Sequence, residues 1–546
     1  MQSSTITGPL HTASIDSYTD NKDSVAETAM RIFGITCVRP WQRLVIANIM
    51  DSAAVAEKKE SFSGTFWDTG SNSDLDDVIC RGKQIVLLPT GSGKSLCFLL
   101  PALLLKGPTL IVYPLLALMA DQRRRMREAG ITSVVFRGGQ TDREREENFR
   151  KIKEGTKIIL ATPEVLQNSR LLDRLSACRI SHIAIDEAHC ISEWGESFRP
   201  AYLTLGIIIN RLAVPIVSAF TATASPEVLS RISEVLFHKS VHIIRSPGDR
   251  PNIHYSVRYV FSKKKELLRL AATEQRPQLI FCGTRRNAEN TARDIAFCYG
   301  CEIVRFYHAG MNKAEKTHIE EWYFNAKNAI LCATVAFGMG IDKPDIRTVI
   351  HLEPSANAES YVQEAGRAGR DGKPARAIVL WNKNDNLRFS RFPANSREHV
   401  MYDFCETEAC RRQILLDALG DEPAVCSGCD NCDELKKPQD KRKNAQYTNK
   451  APDAQIIYHI IRTHRKCYDK EELCTRALPI LNSEYRKSTK VNIWNYSDIR
   501  DILEQLEKEN KIHTCRFLWK NKIDIITRPA KKTAASVIPD NAEFCS

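Results

Sequence analysis

The stretch IVLLPTGSGKS, Ile85 to Ser95, decides the fold. An apolar run from Ile85 to Leu88 breaks at Pro89, passes through Thr90, Gly91, Ser92 and Gly93, and re-enters apolar sequence after Lys94 and Ser95. Strand, glycine loop, Lys-Ser and helix start form a phosphate cradle. Glycines let successive N–H groups turn toward phosphate oxygens, and a helix N-terminus adds partial positive charge. Lys94 then reaches the outer phosphates, and the Ser95 hydroxyl is placed to ligate Mg²⁺. The full pattern has glycine where this chain has Leu88.

Outward from this loop, apolar strands alternate with amphipathic helices: TLIVY, KIILAT, HIAIDE and IVSAFTAT up to about residue 244, then QLIFC, IVRFYHAG, AILCAT, TVIHL and AIVLW. That rhythm predicts two tandem α/β domains with parallel sheets covered by helices, residues 25–245 and 246–395. An aperiodic stretch rich in Ser, Asp, Gly and Glu, 53–77, reads as a surface insertion. Residues 1–24 form a polar arm without the basic cluster and apolar core of a secretory signal. Beyond Asn382 the strands stop. A helical cysteine-bearing module spans 396–435, and 436–450 is a basic linker with six cations and one acid. Residues 451–529 read as helix, short helix, longer helix and two β-like runs, CRFLW and IDIIT, around Lys520, Asn521 and Lys522, the outline of a winged helix. The same helices would also suit a dimerisation element. Residues 530–546 read as a disordered tail.

The chain has 546 residues, a formal net charge of +12 and 18 cysteines. Its length suggests three to four domains, and its basicity favours a polyanionic partner. The longest apolar runs are too short to span a membrane. Most cysteines sit singly in apolar segments of a chain far too long for a disulfide scaffold, which points to a reducing compartment.

Three constellations carry chemistry. HIAIDEAH ends an apolar strand on Asp186 and Glu187. Acids at a strand's carboxyl end face the ligand crevice of an α/β sheet, so Asp186 would hold Mg²⁺ and Glu187 would polarise the attacking water. The following loop offers Trp194, Phe198, Arg199 and Tyr202, stacking faces with a cation, which suits single-stranded DNA. CSGCDNC supplies Cys426, Cys429 and Cys432 at two-residue spacing, and Cys410 completes a tetrahedral zinc set of structural type, with Cys405 a competing fourth ligand.

In ordered agreement over about residues 25 to 433, the chain resembles the RecQ helicases of helicase superfamily two. The matching stretches are FGITCVRPWQ, LLPTGSGKS, VYPLLALMADQ, ATPE, DEAHCISEWGESFRP, FTATA, YHAGM, ATVAFGMGIDKPDIRTVIH and YVQEAGRAGRDG. The resemblance implies two RecA-like domains, a zinc module and a winged helix, with ATP, Mg²⁺ and Zn²⁺ as cofactors. It implies that Gln42 and Arg39 recognise adenine, that Asp342 lies near the ribose, and that Gln363, Arg367 and Arg370 meet the γ-phosphate, with Arg370 as arginine finger. Thr221 and Thr223 would couple the nucleotide site to DNA, and Arg285 joins the DNA-contacting set. The family's WGHDFRP reads WGESFRP here, which places Glu196 and Ser197 near a phosphate backbone. The implied activity is ATP-driven unwinding with 3′ to 5′ polarity on single-stranded, tailed or forked DNA. A single-strand-binding protein or a topoisomerase is the implied protein partner, and the nucleoid or nucleus the implied location. A duplex translocase that does not unwind, and a non-catalytic ATP-gated scaffold, are the competing readings. An aromatic at the tip of the C-terminal hairpin would discriminate the first of these.

Overall fold

Between Lys83 and Arg245 the apolar runs form one parallel sheet of seven strands: β1 (Lys83–Leu87), β2 (Thr109–Val112), β3 (Ser133–Phe136), β4 (Ile158–Ala161), β5 (His182–Ile185), β6 (Val217–Thr221) and β7 (His242–Arg245). Their spatial order is β3-β4-β2-β5-β6-β1-β7. Strands β2, β4, β5 and β6 are buried at every residue. Apart from Thr109, His182, Ser218 and Thr221 they are apolar, because helices cover both faces. One face packs Ile85, Ile159 and Ile183 with Leu172 and Ile208, and the other packs Val86, Ile111 and Leu160 with Val45 and Phe98.

The computed structural model describes residues 23–62, 81–89, 92–193, 200–238, 241–246, 248–337, 343–394, 396–437 and 451–526. The chain divides into two units, Met1–Gly248 and Asp249–Ser546. No described helix is long and apolar enough to cross a membrane.

The second unit holds a six-stranded parallel sheet of β8 (Ile253–Tyr259), β9 (Gln278–Phe281), β10 (Val304–Tyr307), β11 (Ile330–Ala333), β12 (Thr348–His351) and β13 (Ala375–Trp381), in the order β10-β11-β9-β12-β13-β8. Helices His399–Glu406, Arg411–Leu419 and Asp430–Leu435 follow. The last of these docks on the edge strand β8 through the Tyr255–Cys429 bridge and the Asp430 carboxylate, which accepts the Val257 N–H at 2.9 Å. Helices Ala451–Thr463, Lys470–Thr489 and Tyr496–Lys508 then lead into an antiparallel pair, β14 (Ile512–Thr514) and β15 (Ile523–Ile525). Three helices and a hairpin match the winged-helix outline. They share one hydrophobic core with helices Lys263–Thr273 and Arg285–Tyr299, which cover the six-stranded sheet, through residues such as Leu268, Ile295, Leu481 and Trp494.

Three expectations change. The helix Pro40–Phe62 runs ten residues into the expected insertion. Ala, Glu and Lys in AAVAEKKE favour helix, and Glu57 pairs with Lys106 at 2.6 Å. The second C-terminal helix is the longest of the three, at 20 residues, not a short one. CRFLW is not a strand: β14 ends at Thr514, and residues 515–522 form the connecting loop. Ile512, Ile523 and Ile525 set the register by burying inward, which leaves Phe517 and Leu518 89% and 92% exposed in that loop.

The arm 1–22, the remainder of the insertion, most of the basic linker and the tail lie outside the described residues.

Candidate nucleotide and metal sites

The carboxyl ends of β1, β6 and β5 lie side by side, with Leu87 opposite Thr221 and Ile185 opposite Ala219. This adjacency gathers the phosphate loop, the FTATA stretch and the acid pair at one end of the sheet. The helix Lys94–Leu104 begins at Gly93, whose φ of 84° is left-handed and which offers no side chain to the first-turn amides. The left-handed backbone there favours glycine, and a Cβ, 2.5 Å from the Gln42 side-chain nitrogen, would displace that amide. Gln42 is buried, donates to the Ser92 carbonyl at 3.0 Å and accepts the Arg39 N–H at 2.9 Å. The Ser92 hydroxyl is buried without a hydrogen-bond partner among the described residues. First-turn amides, an unpaired hydroxyl and Lys94 fit an anion.

Asp186 is buried, and its carboxylate accepts the Glu187 N–H at 3.0 Å. Burial and the Glu187 charge push its carboxyl well above the usual carboxylate range, and Lys94 opposes the shift. A cation beside Asp186 would remove that penalty, so the donor set fits Mg²⁺. Glu187 stands at φ 50°, a left-handed conformation rare outside glycine. Its carboxylate lies 3.4 Å from the Lys94 ammonium and 3.3 Å from Nδ1 of His189. The Thr221 hydroxyl donates to the Thr223 carbonyl at 2.9 Å. With its proton committed there, Thr221 accepts from His189 Nδ1–H at 3.0 Å, which fixes the tautomer of the ring. His189 thus ties the acids to the FTATA turn, a link that the DEAH string carries without announcing.

In the second unit, Gln363 lies on the helix Ala358–Ala365, and Arg367 and Arg370 stand in the turn after it. Arg285 opens the helix Arg285–Tyr299 and is exposed beside Gly310 of YHAGM. Thr90, Gly91, Trp194, Glu196, Ser197, Phe198, Arg199 and Asp342 lie outside the described residues. Tyr202 is not a stacking surface. It ends the turn Pro200–Tyr202 fully buried, in the core cluster that holds Leu205 and Ile208, so its ring cannot meet a base.

Cys410, Cys426, Cys429 and Cys432 bring their sulfurs within 4.8 Å of one another. Sulfurs about 2.3 Å from one tetrahedral zinc stand roughly 3.8 Å apart, so the four fit that ion. Burial and the neighbouring thiols push the Cys432 thiol well up, a penalty that a cation held by the four sulfurs would remove. Cys429 caps the helix Asp430–Leu435, and its sulfur accepts the Cys432 N–H at 3.4 Å. Cys405 is buried beside Phe404 and Met401 and is not among the four converging sulfurs, of which Cys410 is one.

Residues 69–232 match the DEAD/DEAH box helicase family, 262–372 the helicase conserved C-terminal domain and 393–433 the RecQ zinc-binding family. The ATP-dependent DNA helicase RecQ of Pasteurella multocida is 32% identical over 391 residues, 69% of this chain and 62% of that protein. RecQ of Bacillus subtilis is 33% identical over 393 residues, 67% of this chain and 64% of that protein. The chain therefore spans a little under two thirds of the length of these curated relatives. Among solved structures, the DUF1998 helicase MrfA bound to DNA shares the fold, with a TM-score of 0.52 at 16% identity over 93% of this chain and 59% of that one.

Proposed function

Because the chain belongs to the RecQ family of superfamily-two helicases, we propose that it is an ATP-dependent DNA helicase that moves 3′ to 5′ along one strand and separates the duplex ahead. The observation that carries this reading is the Lys94–Glu187–His189–Thr221 chain of contacts at the carboxyl ends of adjacent strands. It links a phosphate-binding lysine, a water-polarising acid and a turn that can report hydrolysis.

In this reading Thr90, Gly91, Ser92 and Gly93 cradle the phosphates, Lys94 neutralises them, and Ser95 and Asp186 hold Mg²⁺. When bound, Mg²⁺ neutralises charge on the phosphoryl oxygens. Glu187 takes the proton of the attacking water. Gln42 and Arg39 select adenine, and Asp342 supports the ribose. Gln363, Arg367 and Arg370 supply cationic and polar groups to the γ-phosphate, and a finger such as Arg370 contributes roughly 10³ to 10⁵ in rate. Trp194, Phe198, Arg199 and Arg285 contact DNA by stacking and phosphate pairing, so binding weakens with salt. Cys410, Cys426, Cys429 and Cys432 would hold a zinc ion of structural type, since four thiolates leave no position for a reactant. The exposed Phe517 and Leu518 in the hairpin loop favour unwinding over translocation alone. A single-strand-binding protein or a topoisomerase is the partner beside which such an enzyme would work, in the nucleoid or nucleus.

The test is phosphate release stimulated by single-stranded DNA. It is expected to vanish in Lys94→Ala, and turnover at the normal rate in that variant would reject the site.

A further inference from the structure

Arg250 lies outside every motif quoted above, two residues into the second unit. Its guanidinium bridges no carboxylate among the described residues. Nη1 donates to the Gly366 carbonyl at 3.1 Å, and Nη2 donates to the carbonyls of Ala368 at 3.1 Å and Gly369 at 3.0 Å. Those three carbonyls belong to the turn that presents Arg367 and Arg370. Asn252 adds a second clamp, donating its side-chain N–H groups to Gly369 at 2.8 Å and Lys373 at 2.9 Å. Gly369 stands at φ 55°, and a Cβ there would lie 2.5 Å from the Asn252 nitrogen and 2.7 Å from the Lys373 carbonyl. The turn therefore closes only with glycine at that position.

The clamp is itself held from behind. Arg412, in the first turn of the zinc-module helix Arg411–Leu419, donates to the carbonyls of Arg250 at 3.0 Å and Ile253 at 2.6 Å and pairs with Asp249. Main chain 249–253 is thus fixed by the zinc module on one side and fixes the arginine turn on the other. A planar guanidinium with several donors in a rigid fork suits three convergent carbonyls, which a lysine ammonium matches less well.

We propose that Arg250 is a positioning residue for ATP hydrolysis, its guanidinium setting the carbonyl frame from which Arg370 reaches the phosphate. The inference rests on the reading of Arg370 as arginine finger. A misplacement of about 1 Å in such a group costs on the order of 10²-fold in turnover, whereas loss of a purely structural brace lowers stability and leaves kcat alone.

The experiment compares Arg250→Gln, Arg250→Lys, Arg370→Ala and the Arg250→Gln/Arg370→Ala double variant of the full chain, measuring kcat and KM for ATP at saturating single-stranded DNA, with zinc content and melting midpoint as fold readouts. Arg250→Gln is expected to lose about 10- to 100-fold in kcat with KM within about threefold, and Arg250→Lys to recover part of the loss. In the Arg370→Ala background the same change should alter kcat by less than about twofold, because both act through one group. Multiplying losses in the double variant, or normal kcat in folded Arg250→Gln, would overturn the proposal. Normal turnover in Arg370→Ala would instead remove the finger assignment, and the proposal with it. If Arg250→Gln loses zinc or melts early, Asn252→Ala, which withdraws one donor from Gly369, carries the same comparison with the same two outcomes.

Discussion

The ammonium of Lys94 lies 3.4 Å from Oε1 of Glu187, a residue held at φ 50°. The lysine proposed for phosphate and the acid proposed for water thus occupy one small volume, and the other carboxylate oxygen lies 3.3 Å from Nδ1 of His189. Binding and bond breaking are separable there by substitution. Glu187→Gln keeps the shape and one acceptor oxygen but removes the base. It should bind a fluorescent ATP analogue within about threefold of the parent and hydrolyse ATP about 10² to 10⁴ times more slowly. Unchanged hydrolysis would move the base elsewhere.

The four-sulfur cluster predicts one zinc ion per chain by metal analysis. Its removal by chelator, or by Cys426→Ser, should release the helices 411–419 and 430–435 and the edge strand to which Cys429 bridges. Amide exchange in 253–259 and 411–435 should rise while the first unit stays protected. Full zinc occupancy in Cys426→Ser would contradict the ligand set.

Asp498, three residues after the Asn495 cap of the helix Tyr496–Lys508, is buried, and burial pushes its carboxyl up to about 6, with the Asp501 charge adding to the shift. A carboxyl raised above its unfolded value takes up a proton on folding. Its stabilisation is complete below about pH 4 and is lost as pH rises through about 6. Asp498→Asn, permanently neutral and still an acceptor for the Asn495 N–H, should therefore raise the melting midpoint at pH 8 by an amount worth up to about 3 kcal/mol and much less at pH 4. An equal effect at both pH values would assign the gain to packing alone.

In the hairpin loop Phe517 and Leu518 face solvent, while Lys466 sits 4.7 Å from the Trp519 ring and holds it down. Replacing both exposed residues with alanine should slow strand displacement several-fold while DNA-stimulated ATP hydrolysis stays within about twofold, since neither residue supports the core. Unimpaired displacement would remove the hairpin from strand separation.

The sheets were legible in the sequence because buried parallel strands read as mostly apolar runs, and the thiol cluster because its spacing brings sulfurs together; the phosphate loop was legible only together with the acid pair downstream. Tyr202 was misread because an aromatic in a polar loop looks the same whether it faces a base or the core. Only the packing of helix Leu205–Leu212 decides that. CRFLW misled for the converse reason: its apolar residues mimic a strand, yet Ile512 and Ile523 take the inward positions. Arg250 left no local signal at all, because its partners are main-chain carbonyls more than a hundred residues away.

Strand displacement on duplexes carrying either a 3′ or a 5′ single-stranded tail, with and without ATP, tests the central claim most directly. The account predicts ATP-dependent separation of the 3′-tailed duplex and little of the 5′-tailed one. ATP consumed without separation of either duplex would contradict it.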